Sequence, residues 1–379
     1  MSDYITDGKG RNTMVKKLQP KLRFRGFTDA WEQRKLGRIC RITMGQSPKG
    51  QNYTNDFNQY ILVQGNADIV DRWVQPRVWT KEVTKTAEAG DLILSVRAPV
   101  GVVAKTAFPI VLGRGVAGIK GGEYIYQFLF MLEANNYWKS LSSGSTFDSI
   151  TKEQLIDLPV RQPASEQERN RIGKLLRILD SILAAEKRKL QLIEMKKRLL
   201  LQRILSGKMR FVGFCDSWIQ LKLDDAICVC SGKDYKHLSK GNIPVYGTGG
   251  YMTSVSKALS NRDAIGIGRK GTIDKPYVLH APFWTVDTLF YALPRNGYDL
   301  NFLFAVFQNI NWKSKNESTG LPSLSKKNIE NTCIITPSID EQCRIGELFS
   351  LFDSILDETN QKIRLLEKKK KALLRDMFV

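Results

Sequence analysis

The sequence predicts an α+β protein in which two duplicated globular domains are joined by two long antiparallel coiled-coil helices, with pseudo-twofold symmetry. Internal repetition is the first observation behind this prediction: residues 21–36 (KLRFRGFTDAWEQRKL) recur as residues 208–223 (KMRFVGFCDSWIQLKL), with ten identical positions. A second box, residues 171–183 (RIGKLLRILDSIL), recurs as residues 344–356 (RIGELFSLFDSIL). The length of 379 residues also exceeds what one hydrophobic core usually organises. We therefore expect two copies of one structural unit.

Each repeat divides into a β-rich head and a helical segment that follows it. Residues 1–20 are polar, and we expect them to form a mobile tail. After them come head 1 (residues 21–162), the central helix (163–207), head 2 (208–336) and the C-terminal helix (337–379).

The heads contain short β-rich runs punctuated by glycine, with helical stretches between them, which predicts α+β domains with mostly antiparallel sheets. The β-rich runs are residues 60–70, 90–105, 243–250 and 263–279, and the helical stretches are residues 123–135 and 300–310. The aromatic box RFxGFxDxW that opens both heads is expected to be core that docks each head onto its helix.

The two helical segments each carry apolar residues at steps of three and four, which is typical of paired long helices. We expect the middle of this seam to form the interface between the helices or with a partner. Its residues are Leu179, Ile182, Glu186, Leu190 and Ile193 in the central helix, and Phe352, Ile355, Ile363, Leu366 and Lys370 in the C-terminal helix.

The register of the helix pair is predicted from the polar residues within the seam. Because the central helix leads from head 1 to head 2, a symmetric return by the C-terminal helix requires an antiparallel pair. One register places Glu186 opposite Lys370 and Lys197 opposite Thr359. It also places Leu190 opposite Leu366 and Ile193 opposite Ile363. The buried polar pairs would then fix the alignment of the helices.

The charge of the chain points to a polyanionic partner. The net charge is +20 and the pI is near 9.6. The excess is spread over residues 1–164 (+8), 165–208 (+7) and 209–337 (+5), and is not confined to a tail. Such a field favours nucleic acid first, and an acidic membrane surface or acidic protein second.

Other features of the sequence argue against a membrane span, a secretory signal and a structural zinc site. No apolar run is long enough to span a membrane, and the first twenty residues contain no apolar stretch typical of a secretory signal. The six cysteines show no CxxC pairing and the only histidines are His237 and His280, so we expect no structural zinc. Free thiols in a reducing cytoplasm are the simplest interpretation.

Motifs for catalysis are missing or weak. There is no GxxxxGK[ST] for nucleotide phosphates and no GxSxG for a nucleophile. The glycine-rich run 246–250 is expected to be a turn, because no helix follows it. Glu194 and Lys196 have the spacing of some nuclease sites, but they lie in a helix beside the seam. We therefore expect no catalytic residues and no metal site.

Candidate DNA-binding residues lie in the loops of both heads. The strands DLILSVR and DAIGIGR each deliver an arginine into a glycine-containing loop, at Arg97 and Arg269, and arginine makes bidentate contacts with guanine or holds a phosphate. An ordinary surface cation or a structural ion pair is the alternative. Loop amides can read adenine. The remaining candidates are Gln46, Lys49, Gln64, Asn66 and Lys152 in head 1, and Lys233, Lys270, Lys275 and Lys326 in head 2.

Taken in order, these boxes resemble the specificity subunit of type I restriction–modification enzymes. The resemblance rests on the RFxGFxDxW openings, on STFDSITKEQLIDLPV and LPSLSKKNIENTCIITP late in the heads, and on the RIGxLxxxxDSIL helices. It covers nearly the whole length after about residue 20. It implies that the heads are target recognition domains for double-stranded DNA. No base-contacting residue carries over, because recognition loops vary within that family.

The resemblance also implies the partners. The chain would hold no catalytic residue or cofactor of its own. It would recruit two modification subunits, which bind S-adenosylmethionine and methylate adenine. Restriction subunits would then join and use ATP and Mg²⁺.

Heads that share boxes but differ inside are expected to read two different half-sites, separated by a spacer that the helix pair sets. The residues alone leave two alternatives open. One is a duplicated coiled-coil scaffold that binds RNA or an acidic protein without sequence specificity. The other is an autonomous nuclease, which the missing catalytic set disfavours.

Overall fold

The computed structural model describes residues 4–6, 12–14, 19–142 and 149–378. The chain forms two compact units. Unit 1 contains Met1–Ala185 and Ile363–Val379, and unit 2 contains Glu186–Lys362. Each unit therefore holds one head together with a part of each long helix. Among the described residues, no helix is both long and apolar enough to cross a membrane.

Head 1 contains two mixed sheets and a two-stranded ribbon, and most of its strand pairings are antiparallel. In spatial order, the larger sheet has the strands Arg41–Met44, Val116–Lys120, Leu92–Ser95, Val103–Lys105, Trp73–Val74 and Ile69–Val70. The second sheet has Thr86–Ala87, Ile110–Leu112, Tyr60–Val63, Val78–Thr80 and Tyr53–Thr54. The ribbon pairs Trp31–Lys35 with Pro159–Pro163.

The helices of head 1 connect these sheets to the rest of unit 1. The α-helices are Leu36–Ile39, Glu123–Ala134, Tyr137–Ser142 and Lys152–Ile156, and the 3₁₀ turns are Gly50–Asn52 and Asn66–Asp68. The helix Glu123–Ala134 packs with the sheet residues and the long helices in one hydrophobic cluster, which includes Tyr124, Leu129, Ile172 and Leu374.

Head 2 repeats this plan with fewer strands. One sheet has the order Ile227–Ser231, Leu289–Pro294, Ala264–Gly268 and Tyr277–Leu279, and the other has Gly250–Val255, Lys240–Gly247 and Trp284–Thr285. A ribbon pairs Ile219–Lys222 with Cys333–Thr336. The α-helices are Leu223–Ala226, Leu300–Asn309 and Lys326–Glu330, and a 3₁₀ turn covers Trp312–Lys315. The α+β prediction with two repeated domains is confirmed.

The long helices are Glu166–Leu205, which is the central helix, and Ile339–Met377, which is the C-terminal helix. A glycine of the RIG box lets the head helix approach each of them closely. A Cβ atom at Gly173 would lie 2.9 Å from the backbone nitrogen of Tyr124, and one at Gly346 would lie 2.9 Å from that of Phe302. The two glycines are therefore equivalent docking points in their own units.

The opening box docks each head onto its long helix. Arg23 binds the buried carboxylate of Glu168 with two hydrogen bonds of 2.7 and 2.8 Å. In unit 2, Arg210 binds Glu341 in the same way at 3.0 and 2.6 Å, and the Trp218 indole nitrogen donates to Glu341 at 3.1 Å. The box therefore contributes ion pairs as well as apolar surface.

The helices run antiparallel, as predicted, but in another register. In unit 2, Lys197 contacts Asp353 and Glu186 contacts Lys362. In unit 1, Lys370 contacts Asp180. Residue numbers in both Lys–Asp pairs sum to 550 rather than the predicted 556. The predicted pairing of Glu186 with Lys370, and of Lys197 with Thr359, is therefore wrong.

The physical reason lies beside the seam. A lysine side chain is long enough to reach an aspartate that flanks the seam, so the acids of the two DSIL boxes neutralise the buried lysines. Thr359 instead donates its hydroxyl to the carbonyl of Ile355 at 2.7 Å, within its own helix. Among the predicted seam residues, Ile182 also differs, because it is 41% exposed whereas Leu183 is 8% exposed.

The segment predicted as a tail contains two described strands. Tyr4–Thr6 pairs antiparallel with Asn12–Met14. The mobility of this segment stays a prediction, as do the exact domain limits.

Candidate nucleic-acid interface

A cleft of about 550 Å³ opens at the loop end of head 1. It brings together three of the predicted residues: Gln64 and Asn66, which belong to one loop, and Arg97, which belongs to another. The cleft is lined by Ser47, Pro48, Tyr53, Gln64, Gly65, Asn66, Arg97, Ala98, Arg114 and Gly115. Gln46 and Lys49 belong to the same loop as Ser47 and Pro48.

Hydrogen bonds donated by backbone amides hold these loops together. The Gln46 amide donates to the carbonyl of Leu112 at 2.8 Å, and the Arg114 amide donates to the Ser47 hydroxyl at 3.1 Å. The Asp68 carboxylate accepts from the Gln64 amide at 2.8 Å. A side chain at Gly115 would overlap the carbonyl oxygen of Gln64, so glycine is required there. The cleft is therefore built into the head rather than formed by free loops.

Two arginines face this cleft. Arg97 follows the fully buried strand Leu92–Ser95, and Arg114 lies in the Gly-Arg-Gly turn between two strands. Both are exposed, and neither has an ion pair with any residue that the structure describes. Exposed guanidinium groups on a fixed backbone can donate to a phosphate or to guanine.

Head 2 reproduces the same backbone framework. The Lys233 amide donates to the backbone carbonyl of Thr285 at 2.8 Å, as the Gln46 amide donates to that of Leu112. The Val286 amide donates to the backbone carbonyl of Tyr246 at 3.0 Å, as the Gly113 amide donates to that of Val63 at 2.8 Å. These bonds make Lys233 the counterpart of Gln46.

The framework also corrects the alignment of the arginines. Arg97 forms a backbone bridge with Ser149, and the corresponding bridge to Ser323 in head 2 is made by Lys270. The Arg269 amide donates to Thr288 at 2.8 Å, as the amide of the buried residue Val96 donates to Gly115 at 2.9 Å. Lys270, and not Arg269, is therefore the counterpart of Arg97. The one-residue slip arises because both strands begin with aspartate at positions that are not equivalent in the sheet.

Arg269 is nevertheless exposed beside Lys270. Its guanidinium carbon lies 5.8 Å from the ring centre of Phe290, and Nη1 is 3.5 Å from the carbonyl oxygen of Asp287. Both contacts are loose, so the side chain is available to a ligand.

The other predicted residues lie at various distances from this framework. Lys152 and Lys326 begin short helices whose N-caps are Thr151 and Ser325, and Lys326 pairs with Glu330 at 3.4 Å. Lys275 is exposed in the loop before Tyr277–Leu279.

Lys49 is also exposed, and its backbone is anchored. Its amide donates to the Glu82 carboxylate at 3.0 Å. That bond, followed by one from Asn52, holds the pKa of Glu82 below its ordinary value. The anchor fixes the loop and leaves the ammonium group of Lys49 to solvent.

Arg114, Tyr53 and Asp287 were not predicted as site residues. The Gly-Arg-Gly run at 113–115 was a usable signal for the first, since glycine on both sides of a cation indicates a tight, exposed turn. Tyr53 and Asp287 lie in segments without a comparable pattern.

The outer faces of the long helices form a second candidate surface. Four apolar residues are exposed at repeat-related positions: Ile178 and Leu351, and Leu192 and Leu365. Single exposed apolar residues are common, but their recurrence at an offset of 173 indicates two equivalent surfaces. The seam residues are half-buried or buried apart from Ile182.

The described residues include no group of three His, Cys, Asp or Glu side chains placed to hold a metal ion. All six cysteines are free. Burial raises the pKa of the Cys40 thiol to about 11, which makes it unreactive near neutral pH.

Comparison with known proteins identifies the family. The model of the type I restriction modification DNA specificity domain matches twice, over residues 28–195 and 223–368. A putative type I restriction enzyme MjaX specificity subunit from Methanocaldococcus jannaschii is 31% identical over 186 residues, which is 48% of this chain and 44% of the relative. The MjaVIII specificity subunit from the same organism is 32% identical over 122 residues, 31% of this chain and 26% of the relative. The aligned part thus spans less than half of these curated relatives.

Solved structures show the same fold. The S subunit of a type I restriction–modification system from M. genitalium superposes with a TM-score of 0.74 at 17% identity, covering 96% of this chain and 99% of that one. A chain from a structure of type I R-M complex assembly and conformational transition gives a TM-score of 0.51 at 15% identity, covering 92% and 97%. With the family model matched in both repeats, this chain belongs to the family of type I restriction–modification specificity subunits.

Proposed function

We propose that this chain is the sequence-reading subunit of a type I restriction–modification complex, and that each head reads one half of a bipartite, asymmetric DNA target. One observation carries the proposal: the two heads share a backbone framework but differ in the side chains they place on it. Gln46 corresponds to Lys233, and Arg97 to Lys270. A common framework with different donors and acceptors suits the recognition of two different sequences.

The charge of the chain supports DNA as the ligand. The net charge of +20 favours binding to phosphates, and cations that are free of ion pairs within the described residues lie beside the loop amides. Phosphate contacts would position the heads, whereas base contacts would select the sequence.

Partner subunits would supply the chemistry. We infer that two modification subunits dock on the repeat-related apolar residues of the long helices, and that restriction subunits join them. The bound S-adenosylmethionine, ATP and Mg²⁺ would all belong to those partners, in the cytoplasm. The chain itself would act without catalytic residues, as a recognition subunit.

The test is to map methylated adenines in DNA from cells that express this chain with its modification subunit. We expect one bipartite motif with two unlike half-sites and a fixed spacer. The modification subunit expressed alone is the control, and it should give no such motif. Methylation without a sequence motif, or tight binding of the complex to RNA with no preference among DNA sequences, would contradict the proposal.

A further inference from the structure

One position of the shared framework carries opposite charges in the two heads. Arg114 follows Gly113, whose amide donates to Val63, and Asp287 follows Val286, whose amide donates in the same way to Tyr246. The next residues, Gly115 and Thr288, accept from the equivalent strand ends at 2.9 and 2.8 Å. The bonds on both sides of the two residues therefore coincide, and Arg114 and Asp287 are structural counterparts.

Both side chains are exposed at this position. Arg114 lines the cleft of head 1. Asp287 lies in the turn between Trp284–Thr285 and Leu289–Pro294, beside Arg269. The Asp287 carboxylate has no hydrogen bond or ion pair with any residue in the described part of the chain, and it belongs to no potential metal-binding group there. Among the described residues, neither side chain has a hydrogen bond or ion pair that accounts for its presence.

A carboxylate at this place cannot serve as a phosphate contact, because it repels the DNA backbone. It can accept hydrogen bonds, and in the major groove the amino group of cytosine is the donor that carboxylates read. Arginine has the opposite pattern and donates two hydrogen bonds to O6 and N7 of guanine. The charge reversal therefore matches a reversal of a G·C base pair.

We propose that this position reads one base pair in each half-site, with Arg114 selecting guanine and Asp287 selecting cytosine on the corresponding strand. The inference rests on the proposed function, because it assumes that each head reads DNA. It adds the identity of one specificity-determining residue in each head and of the base that each selects.

The experiment compares methylation motifs of the full complex carrying variants of this chain. Arg114→Asp should change the guanine of the head 1 half-site to cytosine, and Asp287→Arg should change the cytosine of the head 2 half-site to guanine. Asp287→Asn keeps the size of the side chain and should reduce the preference for cytosine about tenfold or more. In each case the other half-site should stay unchanged.

Two matched variants control for charge alone. Arg38→Gln and Asp216→Asn each remove one exposed charge from head 1 and head 2 at a distance in sequence from the framework. Both should leave the motif unchanged. Competition binding of the purified complex to DNA with each of the four bases at the position gives a second readout that does not depend on methylation.

The outcomes separate the two levels of the proposal. If the wild-type complex yields no sequence motif, the proposed function fails. If it yields a bipartite motif, but the Arg114 and Asp287 variants keep the same bases or weaken all sequences alike, the proposed function stands and this inference is overturned.

Discussion

Lys197 of the central helix forms an ion pair with Asp353 of the C-terminal helix, and the same pair recurs in unit 1 as Lys370 with Asp180. Each residue lies 173 positions from its counterpart, which is the offset of the repeated RIGxLxxxxDSIL box. Each lysine also contacts its own head. Lys197 donates to Gln308 at 2.7 Å, and the Lys370 ammonium lies 3.7 Å from the ring centre of Phe130. One buried lysine in each unit thus connects both long helices to the head.

The first prediction concerns the charge of Lys370. Burial lowers its pKa from the ordinary value of 10.5, and Asp180 opposes that effect. The unfolded chain therefore binds more protons than the native chain between the lowered pKa and 10.5, so stability should rise with pH across that window. Asp180→Asn should lower the pKa of Lys370 further and extend the window towards neutral pH.

We expect Asp180→Asn to reduce the free energy of unfolding by about 2 kcal/mol at pH 7, since the buried ammonium loses its partner but the aspartate is partly exposed. Part of this loss should be recovered at pH 10. Thermal unfolding at both pH values checks this, with Asp357→Asn on the exposed face of the C-terminal helix as the control. An equal loss at both pH values would contradict the assignment to Lys370.

The second prediction concerns the ion pair that docks head 2. Glu341 is 1% exposed at its side chain and accepts two hydrogen bonds from Arg210. Arg210→Met should leave the buried Glu341 carboxylate without its charged partner and lower the free energy of unfolding. The double variant Arg210→Met/Glu341→Gln should recover much of that loss, because glutamine is neutral. Calorimetry of the full chain checks both, and Arg203→Met, an exposed change nearby, should have little effect. The idea fails if the double variant is no more stable than the single one.

The repeats were predictable because duplicated boxes preserve the residues that dock each head onto its helix. Packing explains why certain residues recur: Phe, Gly and Trp of the opening box, and Gly173 and Gly346 of the RIG box. Identical residues therefore indicate the same local structure in both repeats. The heptad-like seam likewise predicted the two long helices, because burial along one face follows the periodicity of a helix.

The register and the site could not be predicted to the same depth. Asp180 and Asp353 lie beside the seam, so the seam positions alone predict the wrong lysine as the partner of Glu186. The strands DLILSVR and DAIGIGR align by their first and last letters, yet the sheet hydrogen bonds shift them by one residue. That shift is set by hydrogen bonds to residues that are distant in sequence, so the two strand sequences alone do not reveal it. The sequence therefore indicated which loops of the two heads correspond, but not which residues within them are equivalent.

The third prediction tests that one-residue shift. Arg97→Ala should weaken or relax only the half-site read by head 1, and Lys270→Ala should affect the half-site of head 2 at the corresponding position. A lost bidentate base contact at Arg97 would cost about 1–3 kcal/mol at one base pair. A lost phosphate contact would weaken binding to all sequences alike. It would also reduce the slope of log K against log salt concentration by about one. Binding titrations on base-substituted duplexes at several salt concentrations distinguish these results.

Arg269→Ala is the matched comparison for Lys270→Ala. If Lys270 is the counterpart of Arg97, the two head 2 variants should alter different base pairs or differ in salt slope. If any of the three variants changed the base preference in the half-site of the opposite head, the proposal that each head reads its own half-site would be contradicted.

The fourth prediction concerns catalysis. The chain purified without partners should transfer no methyl group from S-adenosylmethionine and should not cleave DNA. A radiolabelled methyl-transfer assay checks this, and methyl transfer should appear only when the modification subunit is added. The interpretation of the chain as a recognition subunit would be contradicted if the isolated chain turned over substrate and this activity copurified with it through several columns.

The last prediction concerns the length of the helix pair. Asp180 and Lys197 are separated by the same number of residues as Asp353 and Lys370, so both ion pairs fit a single antiparallel register. Four residues inserted between Asp180 and Lys197 alone would allow only one of the two pairs to keep its register, and should destabilise the chain. A second insertion of four residues between Asp353 and Lys370 should restore both pairs. Four residues are close to one helical turn, so the buried faces would stay nearly aligned, and the pair would lengthen by about 6 Å.

If the heads read two half-sites, the doubly inserted chain should methylate a target with the same half-sites and a spacer longer by about two base pairs, since one base pair rises about 3.4 Å. Motif mapping and thermal unfolding together check this. A matched double insertion of two residues is the control, because two residues turn the helix by about 200° and should separate the buried faces. A stable double insertion of four residues whose motif keeps the original spacer would show that the helix pair does not set the distance between the half-sites.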